Sequence, residues 1–122
     1  MRIHDEFARA QRSFAYVELV PTTAGGLSVK AALTTSASRL YVIELRLTNY
    51  PIQLPHVYVT APTLLANVPH RYKEGNICFM HPSLWNPGAH DIEFVIARAA
   101  KWLNKFEVWR EKGTWPGASM SH

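Results

Sequence analysis

The chain has 122 residues, of which 48% are hydrophobic and 18% charged, an ordinary globular balance that excludes a disordered or low-complexity protein. This length predicts one domain over 1–117, with 118–122 as a disordered tail. The formal charge of +4 is scattered, with no block of five or six like charges, so it reads as a solvated surface and not as a nucleic-acid footprint.

The start, Met1-Arg2-Ile3-His4-Asp5-Glu6, has no apolar core behind a basic residue and is not a secretory signal. No apolar run reaches the roughly 18 residues of a membrane span, so no membrane contact is expected. A single cysteine forms no internal disulfide, and without an export signal the expected home is the reducing cytoplasm. Ile3, Phe7, Ala10 and Phe14 step by four, three and four, one face of a short amphipathic helix. Its polar face is expected to carry Arg2, Asp5, Glu6, Arg9 and Arg12.

Strand patterns follow. Residues 16–20 precede Pro21, and Ala24-Gly25-Gly26 signals a turn. Leu27, Val29, Ala31 and Leu33 alternate with Ser28, Lys30, Ala32 and Thr34, a half-buried strand. After a small, polar turn at 34–38, Tyr41, Ile43, Leu45 and Leu47 share one face and Val42, Glu44 and Arg46 the other. Residues 56–60, between Pro55 and Pro62, make a fourth, shorter strand. Strands joined by short turns cannot be parallel, which predicts a four-stranded antiparallel meander.

Periodicity disappears over 61–89, a stretch that holds the cysteine and four of the eight prolines. A long irregular run inside a compact domain is usually functional. Beyond it Ile92, Val95, Ile96, Ala99, Trp102, Leu103, Phe106 and Trp109 form an apolar stripe at helical spacing. Asp91 and Glu93 suit its N-terminal end, Arg110 and Lys112 the other, and Gly113 a C-cap. Glu107 and Glu111 count among the solvated charges of this region. The fold class is α+β: a helix, a meander, a long loop and a second helix.

Cys78 lies mid-loop in Asn76-Ile77-Cys78-Phe79-Met80. Two readings of it stand open. Ile77 and Phe79 suit a core, which makes Cys78 a buried structural thiol. Alternatively it is a nucleophile, since a thiolate is the strongest side-chain nucleophile near neutral pH. In that reading Gly75 turns the backbone and leaves the sulfur open to solvent. A third possibility is a small zinc site from His70, Cys78, His81 and His90, where Cys-x-x-His has ligand spacing.

Four motifs bear on the choice. Tyr50-Pro51-x-x-x-Pro55 is followed by Pro69-His70, then Gly75-x-Ile77-Cys78, then Trp85-Asn86-Pro87. In this order and spacing they resemble ubiquitin-conjugating enzymes (UBC-like), and the resemblance covers nearly the whole chain. It implies that family's fold: an N-terminal helix, four antiparallel strands, an active-site loop and a crossing helix. It also implies a thioester transferase with Cys78 as nucleophile and no cofactor. Gly75, His81, Trp85, Asn86 and Pro87 are then expected to support the loop. A UBC-like binding module without catalysis is the alternative function.

Three positions depart from the family pattern. His70 stands where the family carries the asparagine that organises the loop and helps stabilise the acyl oxyanion. A histidine can donate one hydrogen bond there and can act as a base. The tryptophan comes one residue earlier than in eukaryotic members. Only five residues follow Thr114-Trp115-Pro116-Gly117, so the family's last helices are not expected, nor the acid on them that prepares an incoming lysine. This short form resembles small prokaryotic members found in conjugation operons, including the anti-phage systems called CBASS. There the implied partners are a protein with a conjugatable C-terminus, either a ubiquitin-like protein or a cyclic-nucleotide-synthesising nucleotidyltransferase, and an activating enzyme.

Overall fold

A computed structural model describes residues 2–23 and 25–117. Helix α1 (Arg2–Ser13) leads into strands β1 (Tyr16–Pro21), β2 (Leu27–Thr34), β3 (Leu40–Arg46) and β4 (His56–Ala61). A long connection holding one short 3-10 turn, Pro82–Leu84, then reaches helix α2 (Ile92–Lys112). The strands pair in chain order as one antiparallel sheet, the meander that alternation predicts. The expected tail at 118–122 lies outside the described residues.

The core lies between one sheet face and the two helices. Val29, Ala31 and Leu33 of β2 and Tyr41, Ile43 and Leu45 of β3 are buried, as period-two alternation requires. They meet Ile92, Val95, Ile96, Ala99, Trp102, Leu103 and Phe106 of α2, which recur at helical spacing. Trp109 closes the stripe half-buried. Ser28 departs from the expected outward set: paired with Val20 on one side and Arg46 on the other, it is fully buried.

Helix α2 has firm ends. Asp91 accepts a hydrogen bond from the Phe94 N–H at 2.8 Å, and Gly113 ends the helix at φ 78°, a left-handed conformation that glycine adopts without steric cost. Asp91→Ala is expected to cost about 1 kcal/mol, checked by urea denaturation at constant m-value.

Two acidic residues expected on polar faces are instead buried, which corrects that expectation. Glu6 of α1 is 1% exposed and accepts hydrogen bonds from Arg2, from the Tyr50 hydroxyl and from the Ile92 N–H at 2.9 Å. Glu107 of α2 is also buried and accepts from Thr35, from Arg39 at 2.8 Å and from the Tyr41 hydroxyl at 2.9 Å. Burial opposes its ionisation, yet the hydrogen bonds from Thr35, Arg39 and Tyr41 together hold its carboxyl below its ordinary value. Each buried carboxyl group thus accepts three hydrogen bonds, so neither is left without partners.

Candidate active site

The connection between β4 and α2 is irregular but closely bonded. Arg71 and Ile77 form an antiparallel bridge. Around it the Cys78 N–H donates to the His70 carbonyl at 2.7 Å and the Tyr72 N–H to the Asn76 carbonyl at 2.8 Å. Residues 70–78 are therefore a small hairpin, with His70 opposite Cys78 across the pair. Gly75, at φ 99°, closes its turn by donating to the Tyr72 carbonyl at 2.9 Å. No motif in the sequence announced this hairpin beyond that glycine.

Two contacts fasten the hairpin to the fold. The Ile77 N–H donates to the Val57 carbonyl of β4 at 2.9 Å. The Trp102 indole N–H of α2 donates to the His70 carbonyl at 3.1 Å. His70 itself has φ 55°, a left-handed backbone in which Asn, Asp and His are the enriched non-glycine residues. Its ring lies against Trp115, with centroids 4.8 Å apart, and Trp115 in turn packs on Trp102 at 5.4 Å. The segment after α2 thus folds back over the site.

The sulfur is less open than expected. Cys78 is 7% exposed, between Ile77 at 1% and Phe79-Met80, of which Met80 is 3% exposed. This corrects the expectation of a solvent-facing thiol. The hairpin lays Sγ against the Tyr72 hydroxyl, which donates a hydrogen bond to it. Burial pushes the thiol pKa up, and the Tyr72 hydroxyl opposes that rise. Tyr72 is the site residue that sequence reasoning missed. Beside it opens a cavity of about 550 Å³ walled by Leu54, Pro55, Tyr72, Ile77 and Phe79, with Glu74 among its polar groups.

Apart from Gly75, the loop residues named from sequence lie outside the hairpin, over 81–87. His81 precedes the short 3-10 turn, and its Nδ1 accepts the Ser83 N–H at 3.2 Å. Trp85 donates its indole N–H to the Pro51 carbonyl at 2.8 Å and stacks obliquely on Tyr50, tying the loop to the proline-rich crossing. Asn86 accepts the Gly88 N–H through Oδ1 at 2.9 Å, and its own N–H donates to His90 Nδ1 at 3.0 Å. Pro87 lies within this turn, half-buried. Among the described residues no three of His, Cys, Asp and Glu converge on a point able to hold a metal ion. The zinc set of His70, Cys78, His81 and His90 is therefore not assembled: the Nδ1 atoms of His81 and His90 cap local backbone instead. No described helix is long and apolar enough to cross a membrane.

Comparison with known proteins agrees with this architecture. Residues 6–122 match the family described as type II CBASS E2 protein. A solved complex of the Vps23 UEV with ubiquitin is similar at 16% identity and a TM-score of 0.59, covering 84% of this chain and 81% of that one. The yeast Vps23 UEV domain in complex with a Vps27 PSDP peptide is similar at 13% identity and a TM-score of 0.60, covering 98% and 85%. These likenesses establish a UBC-like fold. No curated protein matches the chain.

Proposed function

The chain belongs to the family of type II CBASS E2 proteins, and from that premise we propose that Cys78 carries the C-terminus of a partner protein as a thioester and passes it to an acceptor. The observation that supports this most directly is the 70–78 hairpin. It holds the chain's one thiol opposite His70, in the positions where the resemblance to ubiquitin-conjugating enzymes puts nucleophile and loop organiser. The partner is a ubiquitin-like protein or a cyclic-nucleotide-synthesising nucleotidyltransferase, activated beforehand by a separate enzyme, and the setting is cytoplasmic.

Thiol–thioester exchange is nearly balanced in energy, so the protein has to position the sulfur and shield the acyl bond from water. The Cys78 thiolate bonds the acyl carbon while the delivering thiol departs with its electron pair. An acceptor then attacks the same carbon and charge grows on the acyl oxygen. A well-aimed donor to such an oxyanion lowers the barrier by about 3–4 kcal/mol. His70 is the side chain assigned to that task, with a backbone N–H beside Cys78 as the next donor. His70→Ala is expected to leave loading intact and to slow discharge at least tenfold in a single-turnover assay. His70→Asn, which restores the family residue and suits the left-handed backbone, is expected to preserve it. Equal discharge rates for wild type and alanine variant would remove His70 from the mechanism.

A second reading draws on the 7% exposure of Cys78: a UBC-like module that binds a protein partner without chemistry. A non-reducing gel after incubation with cognate activating components and ATP separates the two. The transferase reading expects a higher-mass band that reductant removes. The binding reading expects complex formation with no such band.

A further inference from the structure

Tyr72 stands two positions past His70 on the same face of the hairpin, since alternate residues of an extended strand share a side. Its main chain is fixed twice, through its N–H to Asn76 and its carbonyl from Gly75. The diagonal from position 72 to position 78 spans about 7–8 Å between backbones, a distance that an aromatic side chain bridges. The phenol does so, and its hydroxyl donates to Cys78 Sγ. The same ring walls the cavity beside Leu54, Pro55 and Phe79.

We propose that Tyr72 is the positioning residue of this site: its hydroxyl fixes the Cys78 sulfur and stabilises the thiolate, both before acylation and when the acceptor expels it. This rests on the reading of Cys78 as the acyl-carrying nucleophile. In loading, the Sγ electron pair forms the bond to the acyl carbon, the carbon's bond to the delivering thiol breaks, and that sulfur leaves with its pair. In discharge to an amine, the new C–N bond forms, the C–S bond breaks and the pair returns to Sγ, while the amine proton passes to solvent. The phenol keeps its own proton throughout and acts only as donor.

Other ionisable groups surround the hairpin. His70 faces Cys78 across the pair with its ring against Trp115. On the hairpin, Arg71 turns to the Ala66 carbonyl at 3.2 Å, and Lys73 and Glu74 sit at the exposed turn. From β4, His56 lines the cavity together with Glu74. From α2, the hairpin meets the neutral Trp102 N–H, and Arg98 one turn earlier lays its guanidinium toward the Phe94 ring. Burial raises the pKa of the thiol and the Tyr72 hydroxyl opposes that rise.

The test is the pH profile of iodoacetamide alkylation of the full chain, which has one thiol, comparing Tyr72→Phe with the unchanged protein after thermal melting shows both folded. Loss of the hydroxyl is expected to move the midpoint up by about one pH unit and to slow alkylation near neutral pH about tenfold. Coincident midpoints would overturn the proposal. If the phenylalanine variant does not fold, NMR of the unchanged protein labelled at tyrosine Cζ reads the same contact. The Tyr72 signal is then expected to shift as Cys78 ionises, and a signal indifferent to that ionisation would equally overturn it. Alkylation needs no partner protein, so a shifted midpoint with no adduct on the gel rejects the transfer reading alone. An adduct with coincident midpoints rejects Tyr72 alone.

Discussion

Loading reactions with Cys78→Ala are expected to yield no adduct at all, whereas the unchanged chain gives one that reductant removes. The size of this effect follows from the composition. Cys78 is the chain's single thiol, so no second thiol can take its place. Cys78→Ser separates chemistry from binding. A serine hydroxyl in the same position forms an oxygen ester, slower to appear and resistant to reductant. If the alanine variant still forms an adduct, the acyl group is carried by another side chain and the site assignment fails. If all three proteins bind the partner equally and none forms an adduct, the binding-module reading takes over.

Glu6→Ala is expected to destabilise the fold by about 3 kcal/mol, read as a lower urea midpoint at unchanged m-value. The carboxylate is 1% exposed, and its removal strands the Tyr50 hydroxyl and the Ile92 N–H. Each buried donor left without an acceptor costs about 1–3 kcal/mol. The Arg2 side chain, which is 40% exposed, recovers water and adds little. Glu6→Gln keeps an acceptor oxygen and should lose less than half as much. Burial and then the Glu6 contact raise the Tyr50 pKa, so its hydroxyl stays a donor at any physiological pH. An alanine variant as stable as wild type would mean that water reaches these donors after all.

The sheet and α2 were legible because their periodicities are strong. Strict alternation over 27–34 and 41–47 has one antiparallel solution, and the stripe from Ile92 to Phe106 fits one helix face. Glu6 and Glu107 were misread because charge outweighed position. At 100° per residue, Glu6 lies about 40° from Ala10 and Glu107 about 40° from Leu103, both core residues, so the helical wheel already put them at the edge of the buried face. Their partners Tyr50, Thr35, Arg39 and Tyr41 are distant in sequence, which no local pattern reveals. The same holds for the sulfur. Cys78, Gly75 and the proline-rich crossing were readable as motifs, but the depth of Sγ depends on a nine-residue hairpin whose ladder is too short to leave a periodic trace. Tyr72 was invisible for that reason, since its relation to Cys78 is a diagonal across the ladder.

The two fastenings of that hairpin, to the Val57 carbonyl and to the Trp102 indole, have a thermodynamic meaning for whatever docks there. A loop ordered only on arrival of its substrate charges the lost conformational freedom against the affinity of the complex. Here folding has already met that cost, so under the proposed function an incoming polypeptide tail would lose its own freedom and little of the hairpin's.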